Sequence, residues 1–210
     1  MGWCCNEDNN GGPLVPALNH TSLNYVPLNF DRTHNLQFTA TYELPFGKGK
    51  KFAGNKAVNM IAGGWQINTL SSFMTGTPVR ATSDGGSLRL PGSTQRADQV
   101  KQEVAVLGGI GRGTPYFDPF AFERVLEPRF GTAGFNSLRG PSFINTDLGV
   151  FRRFDIKEKI NLQVRAELFN WTNTPKFANP SSAINGRITN AGGREPNGDR
   201  MLRLGLKLTF

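Results

Sequence analysis

The sequence predicts an all-β fold, an antiparallel meander of about five long strands that forms an incomplete section of a transmembrane β-barrel. Three observations carry this. Apolar and polar residues alternate over whole segments, and a period of two sends them to opposite faces of a strand. The alternating segments reach about 11–12 residues, against about 5–6 for a globular strand and about 9–11 for a tilted strand that crosses a bilayer. Along the chain, short connections alternate with long ones.

Residues 1–32 read as a loop or the remnant of a truncated strand, and residues 33–210 as the barrel segment, with long loops at 83–142 and 172–199. From Thr33 to Leu44, Leu36, Phe38, Ala40, Tyr42 and Leu44 share one face, and Asn35, Gln37, Thr39, Thr41 and Glu43 the other. Pro45, Phe46 and Gly47 stop this strand, because proline removes a ladder donor and glycine permits the turn. A second strand, Gly64 to Met74, sets Trp65, Ile67 and Phe73 against Gln66, Asn68 and Ser72, a pattern blurred by Leu70 and Met74. Thr75 to Pro78 bends or breaks it, with Val79 to Thr82 as an extension beyond the bend. The segment 83–142 has no sustained period and is rich in glycine and proline; its aromatics predict a loop packed on itself, with one short helix near Pro119 to Val125.

A hairpin follows. In Phe143 to Phe154, Ile144, Leu148 and Val150 oppose Asn145, Asp147 and Gly149; after a turn at Asp155 to Glu158, Lys159 to Asn170 sets Ile160, Leu162, Val164, Ala166 and Leu168 against Lys159, Asn161, Gln163, Arg165 and Glu167. The short connection makes the two antiparallel neighbours. Segment 172–199 is again loop-like, with a short strand at Ala183 to Thr189. In the last strand, Arg200 to Phe210, Leu202, Leu204, Leu206, Leu208 and Phe210 oppose Met201, Arg203, Gly205, Lys207 and Thr209.

A lipid-facing exterior and a wet lumen ask for such a split. A soluble sheet with one buried face asks for much the same, so a soluble β-sandwich binding module for carbohydrate or a protein partner stays open. Register is nonetheless strongly specified. At about 3.3 Å per residue and a tilt near 45°, Arg203 lies roughly 15 Å from the chain end, and a one-residue slip that turned it into lipid would cost about 2–4 kcal/mol. Five strands do not close a barrel, whose smallest size is about eight, and an open edge in lipid leaves backbone groups unpaired. The chain therefore reads as a fragment, with Met1 marking only where the sequence begins.

The 210 residues are 38% hydrophobic and 10% aromatic, too rich for a disordered chain. No run approaches the roughly 18 apolar residues of a membrane helix, and the start, MGWCCNEDNNGG, lacks the basic-then-apolar pattern of a signal peptide. Any membrane entry is thus by strands. The net charge of +8 is scattered rather than gathered into one stripe, which argues against nucleic acid. Lys48, Lys50, Lys51 and Lys56 form a local cluster that reads first as a solvated turn and second as a site for anionic head groups. Adjacent Cys4 and Cys5 fit neither a disulfide framework nor a CxxC metal site.

With these residues in view, the chain resembles the C-terminal part of TonB-dependent outer-membrane receptors, in particular the Oar-like barrels. The likeness lies in DRTHNLQFTATYELPFGKGKKF (31–52), GGWQINTLSSFMTGTPV (63–79), NSLRGPSF (136–143), LQVRAELFNWTNTPKF (162–177) and the terminal LRLGLKLTF, in that order. The resemblance implies the outer membrane of a Gram-negative bacterium, periplasmic turns at 46–62 and 155–158, and extracellular loops at 83–142 and 172–199, with residues 1–32 also outside. It places Tyr42, Phe46, Phe151, Phe154 and Phe210 in an interfacial girdle. It implies that Leu202, Leu204, Leu206, Leu208 and Phe210 form a membrane-assembly signal read by the barrel-assembly machinery. The family's plug domain and energy-coupling segment have no counterpart in these residues, so the TonB complex would be met only through missing N-terminal regions. The ligand imported is unknown, and a non-transporting structural or adhesive outer-membrane protein remains an alternative.

Catalytic chemistry finds little support. His20 and His34 are the only histidines, and no HExxH, GxSxG or zinc-like cluster occurs. Gly108 to Gly113 lacks the lysine and hydroxyl residue of a phosphate loop. No enzyme activity and no cofactor are expected. Asp147, Arg165, Glu167, Arg203 and Lys207 are expected to charge the lumen wall. Tyr116 to Phe122 and Phe130 to Pro141 are the ligand-contact candidates, with loop packing as the plainer alternative. Asn170-Trp171-Thr172 fits a glycosylation pattern but ends a strand.

Overall fold

The computed structural model describes residues 2–3, 18–47, 49–52, 56–90, 93–111, 113–157, 160–181, 184 and 198–210. Five long strands form one sheet: β1 (Asn35–Glu43), β2 (Trp65–Met74), β3 (Phe143–Lys157), β4 (Ile160–Phe169) and β5 (Met201–Thr209). Their spatial order, β5-β4-β3-β2-β1, follows the chain, so the sheet is an open antiparallel meander. The bonds from Leu44 N to Trp65 O and from Thr75 N to His34 O, both 3.0 Å, close opposite ends of the β1–β2 ladder, as antiparallel pairing requires. The two short connections, 44–64 and 158–159, lie at one end of the strands, and the two long ones, 75–142 and 170–200, at the other. Among the described residues no helix is long and apolar enough to cross a membrane.

Several boundaries differ from expectation. β3 continues through Asp155 to Lys157, so most of the four-residue turn expected at Asp155 to Glu158 is strand, and a register shift follows at Ile160/Asn161. Val79 to Thr82 does not extend β2: Pro78–Val79 pairs instead with Leu138–Arg139 in a separate two-stranded ribbon. The helix near Pro119 to Val125 is one 3-10 turn, Pro119–Ala121, capped by the Asp118 carboxylate and followed by the two-residue strand Phe122–Glu123. The strand expected at Ala183 to Thr189 falls almost wholly outside the described residues, with Ile184 alone inside them.

The largest departure is α1 (Lys56–Ala62), a helix inside the 44–64 connection, which had read as a turn. Its sequence, KAVNMIA, contains no glycine or proline, and Gly63 and Gly64 end it. The Gly63 amide bonds Asn59 O at 3.0 Å, and Gly64 takes a left-handed φ of +75° that turns the chain into β2. Trp65 Nε1 then donates to Ile61 O at 2.9 Å, tying the first strand residue to the helix end.

Contacts divide the chain into two compact units. Leu36–Phe73, Ile144–Pro175 and Arg194–Phe210 make the sheet unit; Met1–Asn35, Met74–Phe143 and Lys176–Gly193 make the loop unit. The division separates most of the strand residues from most of the long connections. The loop unit has its own core, in which Ala81, Ala97, Ala121 and Ala133 surround Phe122. Alanines let backbone segments approach closely: a Cβ on Gly131 would stand 2.2 Å from Arg96 O. Gln95, 2% exposed, sits among these segments; its Nε2 donates to Arg129 O (2.8 Å) and Ser87 Oγ (3.3 Å), and its Oε1 accepts from Arg96 N and Gly131 N. A buried amide so satisfied fixes one arrangement of the loop.

Candidate functional site: the polar face of the sheet

Register assigns the faces. Leu162↔Leu208, Val164↔Leu206, Ala166↔Leu204 and Leu168↔Leu202 pair across β4 and β5, and Phe154, Val150 and Leu148 of β3 pair with Leu162, Ala166 and Leu168 on the same side. Among the described residues no side chain covers the β5 leucines, and Leu206 is 76% exposed. On the other face Gln163 pairs with Lys207 and Arg153, Arg165 with Gly205 and Phe151, and Glu167 with Arg203 and Gly149.

Four of the five charges expected on one wall therefore share the polar face through these pairs: Arg165, Glu167, Arg203 and Lys207. They are not alike. Arg165 donates through Nε and Nη2 to Gln163 Oε1 (3.1 and 2.9 Å), with its guanidinium 5.8 Å from the Phe151 ring. Arg203 lies 4.0 Å from Glu167 and 5.2 Å from the centre of the Phe169 ring. Asp147 differs in role, because its Oδ1 accepts the Asn170 amide at 2.8 Å and its backbone carbonyl accepts the Thr69 hydroxyl. It fastens the strand end as well as carrying charge. Asp147, Glu167 and Arg203, with Thr41, Asn68, Phe151 and Phe169, line a cavity of ≈ 430 Å³. The paired charges make this face a wettable, mixed-charge surface that hydrogen-bonds water or polar solutes.

Phe151 departs from the girdle expectation. It lies across from Arg165 on the polar face, whereas Phe154, paired with Leu162, lies on the apolar one. The parity of Val150 and Gly149 already carried that information; proximity to the strand end was the weaker guide. Phe46 pairs with Phe52 within the short connection, ring centres 5.7 Å apart, and Tyr42 and Phe210 are exposed.

Sequence reasoning missed Asn170. It is 1% exposed, adopts a left-handed φ of 47°, and uses Nδ2 on Thr174 O (3.0 Å) and Gly198 O (3.2 Å) while Oδ1 accepts from Thr174 N. A buried amide nitrogen with both donors engaged excludes the glycosylation reading in the folded chain. The ligand-contact candidates are also corrected. Phe117, Ala121, Phe122, Ala133 and Phe135 are buried in the loop unit, because these apolar groups form its interior; Phe120 is the exposed aromatic of the first stretch.

The loop unit carries its own electrostatic clasp. Arg129 Nη1 and Nη2 bond both carboxylate oxygens of Asp98 (2.8 and 2.7 Å), Nε bonds Glu127 (2.8 Å), and Thr132 N donates to Asp98 Oδ1 (3.1 Å). The Arg129 hydrogen bonds hold the Asp98 carboxyl below its ordinary 3.8, and burial pushes the neighbouring Arg96 guanidinium down. A carboxylate whose folded value is depressed contributes stability above its ordinary value and loses it as pH falls through the lowered one. Amide hydrogen exchange across 95–133 should therefore quicken as pH drops from about 5 to about 2, once intrinsic rates are corrected. Asp98→Asn should exchange fast throughout and lose the pH step; a step that persists in that variant rules the clasp out as its source.

A family model for an outer membrane beta barrel domain matches residues 4–203. No curated protein and no solved structure matches the chain.

Proposed function

We propose, from the premise that the chain belongs to the outer membrane beta barrel domain family, that it is the C-terminal barrel segment of a TonB-dependent receptor. Membership puts the protein in the outer membrane of a Gram-negative bacterium and makes the sheet a section of barrel wall. The uncovered leucine face is then the lipid face and the charged face the lumen. A soluble β-sandwich falls away, since it would bury that apolar face in a core.

The observation that carries the receptor reading is the asymmetry of the connections. Two short ones meet at one end of the strands and two long ones at the other, and the long ones fold around a core of their own. Short inner turns and long outer loops are the habit of outer-membrane barrels, and structured outer loops suit ligand recognition. The ordered likeness of segments from Asp31 to Phe210 supports a TonB-dependent, Oar-like member. In this reading the segment is non-enzymatic and uses no cofactor. Its partners are lipid, the barrel-assembly machinery, an imported ligand and, through regions upstream, the TonB complex.

The test is the reading frame upstream of residue 1. A plug domain and an energy-coupling segment there support transport; further strands without them overturn it in favour of a structural or adhesive barrel. The assembly signal has a separate check. Deleting Phe210 from the full-length protein should lower the heat-modifiable, membrane-inserted fraction severalfold, and unchanged insertion sinks that assignment.

A further inference from the structure

We propose that the short-connection end of the sheet holds an anionic phospholipid, with the Arg152 guanidinium on the headgroup phosphate and α1 lying in the membrane interface beside it. This rests on the reading of that end as periplasmic. Arg152 is out of place by pattern: it pairs with Val164, which pairs with Leu206, so it stands on the lipid face. A cation there is costly at mid-membrane and tolerable near the interface, where it can reach a phosphate.

The surroundings fit the second case. The guanidinium lies 4.2 Å from the centre of the Phe154 ring and 5.1 Å from that of Trp65, and Arg152 Nη2 donates to Met60 O in α1. Its Nε is buried without a hydrogen-bond partner, and among the described residues no carboxylate pairs with it. The charge is oriented by aromatic faces and left uncompensated. Beside it, Met60 and Ile61 are 75% and 72% exposed, a helix edge continuous with the lipid face through Trp65.

The rest of the connection has matching charge. Residues 44–64 contain Lys48, Lys50, Lys51 and Lys56 and no acid. Lys50 pairs with Glu43, and Lys51 lies 5.8 Å from the centre of the Phe52 ring. Exposed apolar side chains next to an arginine without a carboxylate partner, in a connection that carries lysines and no acid, are the recipe for a segment that lies in an anionic leaflet. A free phosphate would use the arginine and leave Met60 and Ile61 in water, so the complementary occupant is a lipid with acyl chains.

The full-length protein, with Cys4 and Cys5 changed to serine, tests this by native mass spectrometry after extraction from membranes of mixed phosphatidylglycerol and phosphatidylethanolamine. Retained phosphatidylglycerol should exceed phosphatidylethanolamine about fivefold, the effect of roughly one basic residue near a charged surface. Arg152→Gln should bring the ratio to about one, and Arg152→Lys should keep most of it. Both variants should retain heat-modifiable mobility, which separates lipid loss from misfolding. No preference in the parent, an unchanged preference in Arg152→Gln, or displacement of the lipid by inorganic phosphate overturns the site. Sidedness is read independently with Lys51→Cys, an exposed position of the same connection, and a membrane-impermeant maleimide. Labelling only after the outer membrane is opened upholds the periplasmic reading, so a lost lipid preference then counts against the site alone; labelling in intact cells overturns both.

Discussion

Leu204→Arg should destabilise the membrane-inserted protein by about 2–4 kcal/mol, whereas Lys207→Arg, on the same strand, should change stability by less than about 0.5 kcal/mol. Both variants place the same side chain on β5, and they differ chiefly in face. Leu204 pairs with Ala166 on the apolar side, near the middle of a nine-residue strand and one same-face row farther from the short-connection end than Arg152, where a guanidinium must either stay in hydrocarbon or drag water and headgroups inward. Lys207 pairs with Gln163 on the charged side, where another cation is solvated. Urea titration of the protein in vesicles, with tryptophan fluorescence as the readout, gives both values. Equal destabilisation would mean that the two faces see the same medium, and the barrel-wall assignment would not survive it.

The same contrast explains what was legible in the sequence. Strand β5 reads directly because lipid on one side and water on the other enforce alternation at every residue, and β1 and β4 are nearly as clear. The blurred β2 is also real, but Leu70 interrupts its pattern by lining the polar-face cavity among Asn68, Asp147 and Phe151. Parity would have corrected Phe151. Nothing in the sequence pattern would have found Gln95: a glutamine in a glycine-rich segment reads as solvated, and its burial depends on carbonyls from Arg129 and amides from Gly131, more than thirty residues away. The loop unit is opaque for a related reason. Its core is made of alanines at aperiodic positions, where close backbone approach substitutes for large side chains, so no hydrophobic run announces it. The charged wall was visible as residue types on one face, but the use of Asp147 as a clamp on Asn170 came from the strand's end geometry.

Gly64→Ala should cost roughly 2–4 kcal/mol, a large effect for one methyl group. Two terms contribute. The left-handed φ of +75° opposes any Cβ by about 1–2 kcal/mol. The new atom would also stand 2.4 Å from the carbonyl oxygen of Arg153, a backbone group that already accepts no freedom to move because Arg153 N bonds Gly64 O at 3.0 Å. Gly49 separates the terms: its φ is +80°, and a Cβ there meets nothing within 4 Å, so Gly49→Ala should show the dihedral cost alone. The difference between the two midpoints in one urea series therefore measures the close approach of β2 to β3. That approach brings the end of α1 against the sheet at the point where Arg152 and Trp65 meet. If the two glycine variants lose equal stability, the helix is not seated on the strand ends, and the geometry that holds Met60 beside Arg152 goes with it.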